Sequence, residues 1–168
     1  MITDLVQIRV LGEKKREENL RFRRYMKSHD HSDRILRRIA EDIEEQIDCT
    51  QCGNCCKVAT AIVTERDVER LARHLRIAPA KVVADYTMVN EEEGRVLRRT
   101  DAAGCIFLEG TKCTIYEARP DACQRFPHLV RGAGSIASRM WEMVDRACYC
   151  PIVYNALQAF KVELGFKR

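Results

Sequence analysis

Nine cysteines in 168 residues give this chain its clearest chemical character. Four of them fall within eight residues, in the run Cys49-Thr-Gln-Cys52-Gly-Asn-Cys55-Cys56. Thiols at this density form disulfides, bind metal ions or react as nucleophiles. The other cysteines, each able to contribute to the same chemistry, are Cys105, Cys113, Cys123, Cys148 and Cys150.

The start of the chain argues against disulfides. Residues 1–10 contain only a short apolar stretch and no small-residue cleavage site, so they do not predict a secretory signal. No apolar run approaches the roughly 20 residues that a membrane-spanning helix needs. We therefore expect a cytoplasmic protein without a membrane segment, in which the thiols stay reduced. An odd number of cysteines also cannot pair completely within one chain.

The composition is typical of a folded globular protein, and the charge does not predict a nucleic-acid partner. Hydrophobic residues make up 46% of the chain and charged residues 32%. The formal net charge of +4 counts every cysteine as neutral, whereas metal-bound cysteines are thiolates. Eight thiolates around two doubly charged centres would cancel the basic excess. We expect the partner to be another protein, with neither nucleic acid nor a membrane involved.

The spacing of the first cysteines predicts a metal site. Cys49-x-x-Cys52-Gly is typical of a metal knuckle, in which the glycine takes positive φ and backbone N–H groups point at the thiolates. Cys55 extends the run to Cys-x-x-Cys-x-x-Cys, a spacing known from iron–sulfur proteins. In those proteins the fourth ligand usually follows as Cys-x-x-x-Cys-Pro, whereas a Cys-Pro of this chain lies far downstream, at residues 150–151. The spacing therefore leaves iron–sulfur and zinc open.

The adjacent pair Cys55-Cys56 bears on how many metal centres there are. Neighbouring side chains in extended backbone point to opposite sides, so we expect the two to face different centres, or only one of them to face a centre. Tetrahedral zinc and a cubane cluster each take four protein ligands. Eight thiols divide into two such sites, although one site with spare or reactive thiols stays open. The eight candidate ligands are Cys49, Cys52, Cys55, Cys56, Cys105, Cys113, Cys123 and Cys150, which makes Cys148 the surplus thiol.

The segments around the cysteines predict short helices and strands. Residues 13–48 have the pattern of charged helices with an interruption at residues 28–32. These helices either form a docking arm for a partner or pack on their own domain. Residues 58–63 resemble a strand, and residues 64–67 resemble the capping box of a helix. Pro79 and Pro151 are each predicted to start a helix.

The remaining segments complete the expected fold. Short strands are predicted at residues 95–99, 105–108 and 113–116, and a turn of helix holding Cys123 ends before Pro127. Residues 132–134 are predicted to form a loop, and Trp141, the single tryptophan, is predicted to lie in the core. We expect a small metal-stabilised α+β fold, with a helical N-terminal segment at 1–48 and a cysteine-cluster domain at 49–168 that ends in a helix.

The ordered cysteine motifs also resemble a known family. They are Cys49-x-x-Cys52-Gly-x-Cys55-Cys56, Cys105-Ile-Phe-Leu, Cys113-Thr-Ile-Tyr-Glu-x-Arg-Pro-x-x-Cys123-x-x-Phe-Pro and Cys150-Pro. This series is similar to that of the YkgJ-type cysteine-cluster family, described as zinc- or iron-chelating, and covers the chain from about Cys49 to Pro151. The resemblance implies that the eight cysteines are metal ligands, with the third motif framed by Arg119, Pro120, Phe126 and Pro127.

The resemblance has one departure and one functional implication. The last motif of the family usually reads Cys-Pro-Gly, whereas Ile152 replaces the glycine here, so the choice between Cys148 and Cys150 as the final ligand stays open. Relatives of the domain occur in flagellin lysine N-methylases, which keeps a role in protein modification open. No motif for a methyl donor, a phosphate loop or a dinucleotide is present.

Arg119 is a candidate cofactor-binding residue on physical grounds. A thiolate centre carries negative charge, and a nearby guanidinium offsets that charge while donating hydrogen bonds to sulfur or to carbonyl groups. Pro120 fixes the backbone beside Arg119, which favours a defined position for its side chain.

Three functions are consistent with these residues. The first is an iron–sulfur centre used for electron transfer or within a protein-modifying enzyme, and the second is a zinc-stabilised protein-binding module without catalysis. The third is thiol exchange or metal transfer by the crowded cysteines. Sulfur-only ligation suits both zinc and iron, so the type of ligand does not separate the first two. The motifs do not indicate whether the chain is an enzyme.

Overall fold

The computed structural model describes residues 1–100, 103–132 and 134–167. The chain divides into two compact units, which we call the helical unit (residues 1–48 with 127–168) and the cysteine unit (residues 49–126). The boundaries predicted from the sequence, 1–48 and 49–168, group the last segment differently, and as functional domains they stay a prediction. Of the loop predicted at residues 132–134, Ala133 lies outside the described residues.

The described residues form α-helices and short antiparallel strand pairs, which confirms the α+β fold class. The helices are α1 (Leu5–Lys14), α2 (Arg16–Ser28), α3 (Asp33–Glu45), α4 (Cys49–Cys52), α5 (Asn54–Val58), α6 (Glu65–Leu75), α7 (Pro79–Tyr86), α8 (Asp121–Arg125), α9 (Ile136–Arg146) and α10 (Pro151–Glu163). The strands are β1 (Thr87–Asn90), β2 (Gly94–Leu97), β3 (Arg99–Thr100), β4 (Gly104–Cys105), β5 (Leu108–Glu109) and β6 (Lys112–Cys113). Within the part of the chain that the structure describes, no helix has the length and apolar character needed to cross a bilayer.

The helical unit packs α2 against α9 and α10 against α1 and α3. Apolar side chains such as Phe22, Leu36 and Phe160 are buried between these helices. The break predicted at residues 28–32 is confirmed, because α2 ends at Ser28 and α3 begins at Asp33. The N-terminal segment therefore packs with the C-terminal helices of its own chain.

The position of Trp141 corrects one expectation. It was predicted to lie in the core, but its side chain is 61% exposed on α9. The apolar stripe of that helix consists of Ile136, Met140, Met143 and Val144, which are buried. Because position 141 lies outside this stripe, helical geometry turns the indole towards solvent.

The core of the cysteine unit lies between α6, α7 and the longest strand pair. Val68 and Leu71 of α6, Val82 of α7 and Leu97 of β2 are all buried there. The capping box predicted at residues 64–67 is confirmed, as is the helix that starts at Pro79. Local signals of the sequence therefore position both helices of this unit.

The predicted strands around the cysteines are shorter than expected. The strand predicted at 58–63 is wrong, because Val58 ends α5 and only Ile62 forms an isolated bridge, to Val96. The strands predicted at 105–108 and 113–116 are reduced to the two-residue pairs β3–β4 and β5–β6, and residues 116–118 form a 3₁₀ turn. Gly104 and Gly110, both at positive φ, bend the chain so soon that longer ladders cannot form.

A buried carboxylate links α6 to the segment that leads into α8. Asp67 is 1% exposed, and its carboxylate accepts hydrogen bonds from the Thr64 amide at 2.8 Å, the Thr64 hydroxyl at 2.7 Å and the Asp121 amide at 3.0 Å. It also pairs with Arg70, whose guanidinium donates to the Arg119 carbonyl at 2.7 Å. Burial opposes ionisation of Asp67, but these donors outweigh it and lower the pKa of the carboxyl group.

Replacing Asp67 by Asn should lower the free energy of unfolding by roughly 2–3 kcal/mol at pH 7, because it leaves Arg70 without its buried partner. A depressed pKa means that the stabilisation is complete above the unfolded-state pKa of about 4 and is lost as the pH falls through the lower folded-state pKa. Urea unfolding at several pH values should therefore show the two proteins converging in acid. Asp85→Asn, which breaks an exposed pair with Lys81, should change little at any pH. Equal effects of the two substitutions would contradict the role of Asp67.

Candidate metal centre

The first four cysteines lie on two short helices joined by one glycine. Cys49 and Cys52 are three residues apart in α4, so their side chains lie on one side of the helical turn. Gly53 follows at φ +59°, the positive φ predicted for this position, and reverses the chain into α5. Cys55 and Cys56 stand in the first turn of α5.

The backbone of Cys55 and Cys56 corrects a premise drawn from the sequence. It was expected to be extended, but both residues are helical, so their side chains diverge by about 100° rather than pointing to opposite sides. The two side chains also form a hydrogen bond with each other. They can therefore face the same region, which the extended geometry would not have allowed.

Two glycines bring the later cysteines against these helices. A Cβ on Gly53 would lie 2.8 Å from the Thr111 carbonyl oxygen, so the turn before Cys113 packs directly on the end of α4. A Cβ on Gly104 would lie 2.6 Å from the Cys56 carbonyl oxygen, so the residue before Cys105 packs directly on α5. These close approaches place the β5–β6 hairpin beside α4 and the β3–β4 hairpin beside α5.

We call Cys55, Cys56, Cys105, Cys113 and Cys123 the thiol cluster, because Cys55 hydrogen-bonds to Cys56 and the other three thiols lie within electrostatic range of Cys56. Burial raises the pKa values of Cys105, Cys113 and Cys123, and the charge of a Cys56 thiolate raises them further. The effect is largest at Cys123, whose pKa rises to about 12. Thiolates brought this close repel each other, and a shared metal cation would remove that penalty.

The pKa of Cys56 is shifted in the opposite direction, below the usual value of a thiol. The hydrogen bond from Cys55 is the main cause that lowers its pKa to about 7, against the effect of burial. The guanidinium groups of Arg119 and Arg99 contribute in the same direction. Cys56 therefore ionises more readily than Cys105, Cys113 and Cys123, and the thiolate is the form of cysteine that binds metal.

Backbone amides point at two of the sulfurs. The Phe107 N–H donates to the Cys105 sulfur, and the Ile115 N–H donates to the Cys113 sulfur. In both hairpins the donor is the second residue after the cysteine, so the same local turn is used twice. Such N–H···S bonds favour the thiolate form and orient a ligand before the metal arrives.

Arg99 ties one thiol-bearing helix to one thiol-bearing hairpin, and sequence reasoning missed it. It stands opposite Cys105 in the β3–β4 pair. Its guanidinium donates to the Cys56 carbonyl at 3.2 Å, to the Lys57 carbonyl at 2.7 Å and to the Ala59 carbonyl, all at the end of α5. No spacing rule marks this residue, because its partners lie about 40 positions earlier in the chain.

Arg119, the arginine that was predicted at the site, lies close to the thiol cluster. Its charge favours the thiolate forms of Cys56, Cys113 and Cys123, although burial still raises the pKa values of Cys113 and Cys123. The guanidinium lies 3.5 Å from the centre of the Tyr116 ring, and its Nε donates to the Tyr116 carbonyl at 2.9 Å. Its role towards a cofactor stays a prediction.

The last predicted ligand belongs to the helical unit. Cys150 is buried and stands at the N-cap of α10. Cys148, the predicted surplus thiol, is also buried there; its sulfur lies 3.7 Å from an Arg16 guanidinium nitrogen and 3.7 Å from the Val144 carbonyl. Burial is the main cause that raises the pKa of Cys148 to about 11. The choice between Cys148 and Cys150 as the final ligand stays a prediction.

The thiol cluster has suitable donors for zinc or iron but is not a closed site. Among the described residues, no three His, Cys, Asp or Glu side chains are arranged so that they could hold a metal ion. None of the described cysteines forms a disulfide. Metal binding therefore requires the sulfurs to draw together, and the donor set, with its sulfur-directed amides and two guanidinium groups, fits a thiolate-ligated centre.

Comparison with known families finds one matching model, over residues 48–151. It is named CxxCxxCC and described as "Putative zinc- or iron-chelating domain". The match begins just before Cys49 and ends at Pro151, so it includes all nine cysteines. Two further comparisons, with curated proteins and with solved structures, find no match.

Proposed function

Because the chain belongs to the CxxCxxCC family, we propose that its cysteine unit holds an iron–sulfur centre, used for electron transfer or within a protein-modifying enzyme. Metal binding by the cysteine-cluster domain follows from the family. The identity of the metal and its use are the proposal. We also propose that the protein acts in the cytoplasm and that its partner is another protein.

The convergence of sulfurs around Cys56 carries this proposal. Cys56 lies within electrostatic reach of thiols from the β3–β4 hairpin, the β5–β6 hairpin and α8, besides its neighbour Cys55. The thiols of these segments follow Cys56 by 49 to 67 positions in the sequence, so the fold brings them near Cys56. Five sulfurs in one neighbourhood are enough to supply the four protein thiolates that a cubane cluster takes.

The residues of the unit have separable roles towards such a centre. The thiolates bind it, the Phe107 and Ile115 amides orient two of the sulfurs, and Arg99 and Arg119 offset negative charge. A bound iron–sulfur cluster supplies a one-electron couple whose potential depends on net charge and on hydrogen bonds to sulfur. The amides and the two arginines are therefore the part of the chain that would set the potential.

A zinc-stabilised binding module is the second candidate, and Gly53 favours it. The sequence Cys49-x-x-Cys52-Gly53 with a positive φ at the glycine is typical of zinc knuckles. In this case the metal would hold the hairpins in place for recognition of another protein, without catalysis.

Anaerobic purification followed by elemental analysis tests the proposal. An iron–sulfur protein should be brown, absorb broadly near about 400 nm and contain iron and acid-labile sulfide in similar amounts. A colourless protein with stoichiometric zinc would select the binding module. A protein that retains neither metal, even after reconstitution with iron and sulfide or with zinc, would contradict metal binding as well.

Gly104→Ala should weaken metal retention by at least roughly tenfold, because the new Cβ would force the β3–β4 hairpin away from Cys56. Gly94→Ala is a matched control, since both glycines have φ +78° but nothing lies within 4 Å of a Cβ at Gly94. Both substitutions therefore add similar backbone strain, about 1–2 kcal/mol. Competition with a chromophoric chelator measures the difference. Equal metal affinity in the two variants would show that the contact with α5 does not position the site.

A further inference from the structure

A cationic aromatic patch lies on the helical unit, outside the candidate metal centre. Its central residue is Trp141 on α9, which is 61% exposed. The Arg23 guanidinium lies 4.2 Å from the centre of the indole ring, and the Lys27 ammonium lies 5.5 Å from it. We call Trp141, Arg23 and Lys27 the tryptophan patch.

The geometry of the patch holds the Arg23 guanidinium in position to bind an anionic group. Arg23 and Lys27 are four residues apart on α2, so both project from the same face of that helix. Stacking against the indole restricts the guanidinium of Arg23 without using its N–H groups as donors. Among the described residues, neither cation forms a hydrogen bond or an ion pair with a carboxylate. The patch therefore presents oriented N–H donors beside an exposed aromatic ring.

The charges on α2 differ between its two ends. Elsewhere between α2 and α9, Arg16 is neutralised by Asp145. At the other end of α2, residues 21–27 contain four cations and no acidic residue. Among the described residues, an ion pair thus compensates charge at the Arg16 end of this helix pair, and none involves a cation of residues 21–27 beside Trp141.

We propose that the tryptophan patch is a docking surface for an acidic segment of a partner protein. Carboxylates match the guanidinium fork of Arg23 and the ammonium of Lys27, while the indole provides apolar contact area of the kind enriched at interfaces. This proposal does not depend on which metal the cysteine unit holds.

Nucleic acid and membranes fit the patch less well. The helical unit contains 17 Lys and Arg against 14 Asp and Glu, an excess too small for the basic surface that nucleic-acid binding needs. The apolar face of α2, with Phe22 and Met26, is buried against other helices and cannot enter a bilayer. An acidic peptide needs only a few compensating cations and one apolar contact.

The single tryptophan of the chain makes the test direct. A synthetic peptide of repeating Glu-Glu-Leu units, added to the full-length protein, should change the fluorescence of Trp141, and its Gln-Gln-Leu analogue should not. With the peptide labelled, fluorescence anisotropy should show Arg23→Gln and Trp141→Ala binding about tenfold more weakly than the unmodified chain. Arg21→Gln is the matched control, because it removes the same charge from the same helix but lies two positions from Arg23 and faces elsewhere. Far-UV circular dichroism should confirm that all three variants are folded.

The outcomes separate the proposal from its alternatives. Loss of binding in Arg23→Gln and Trp141→Ala but not in Arg21→Gln would support it. Equal weakening by Arg21→Gln and Arg23→Gln would reduce the effect to general charge attraction and overturn the proposal. Quenching of Trp141 by oligothymidylate or by phosphatidylserine vesicles, without a response to the Glu-Glu-Leu peptide, would assign the patch to nucleic acid or to a membrane instead. No response to any of these probes would also overturn it.

Discussion

Cys56→Ser should remove bound metal from the purified protein, while Cys148→Ser should leave the metal content unchanged. Cys56 is the thiol on which the other sulfurs of the cluster converge, and its pKa is lowered to about 7. A serine hydroxyl remains protonated at neutral pH and cannot replace a thiolate ligand. We expect metal affinity to fall by more than roughly a hundredfold, because changes outside the ligand set alone cost 10- to 100-fold.

Cys148→Ser is the matched control for this experiment. It makes the same chemical change at a buried cysteine of the helical unit, where burial raises the thiol pKa to about 11. Elemental analysis of both variants after identical anaerobic purification gives the comparison. Retention of full metal by Cys56→Ser would contradict the central position of this residue, and loss of metal from Cys148→Ser would show that the wrong cysteine was counted as surplus. Cys150→Ser, measured in the same series, tests the remaining ligand assignment.

Elements with strong local signals could be predicted from the sequence. Thr64 and Asp67 start α6 by the capping box that their spacing predicts, and Pro79 and Pro151 each stand at the start of a helix. The family could also be identified, because the order of cysteine motifs is preserved over most of the chain. In each case the information lies within a few neighbouring residues or in the identity of the cysteines themselves.

Three predictions about local structure were wrong, and they failed for different physical reasons. Residues 58–63 are rich in β-branched side chains, yet α5 extends to Val58, where its end is bound by Arg99. The helical backbone at Cys55 and Cys56 follows from Gly53, whose positive φ reverses the chain one residue before α5 begins. Trp141 is a large apolar residue, but its helix buries a stripe that excludes it. At residues 58–63 and at Trp141 the tertiary packing overrides the preference of the residue type. At Cys55 and Cys56 the deciding signal is local and lies in Gly53.

Arg99 shows why the site itself could be predicted only in part. The thiols are recognisable by their chemistry, but a positioning residue has no distinctive type, and surface arginines are common in this chain. Its importance follows from the carbonyl groups of α5 that accept its hydrogen bonds. The same is true of Asp67, which was predicted as a helix cap and also binds the Asp121 amide, 54 residues away.

Removal of the metal should loosen the thiol-bearing segments while leaving the helical unit intact. The hairpins β3–β4 and β5–β6 contain two residues per strand, and isolated hairpins are at best marginally stable in water. The α4–α5 segment is similarly short. Metal binding contributes folding free energy to such segments, on the order of 10 kcal/mol for structural zinc. The helical unit has its own buried core, with Phe22, Leu36 and Phe160, and does not need this contribution.

Hydrogen exchange with mass spectrometry, with and without a chelator, should show that the loss of protection on metal removal differs between segments of the chain. Peptides covering residues 49–58 and 104–113 should lose protection by at least roughly a hundredfold. Peptides of α6 and α7 should change less, because Val68, Leu71 and Val82 belong to an apolar core that persists without metal. Peptides of α2 and α3, which carry no candidate metal ligand, should not change. Uniform loss of protection in both units would show that the metal stabilises the chain globally, and no change at residues 104–113 would mean that the hairpins do not carry metal ligands.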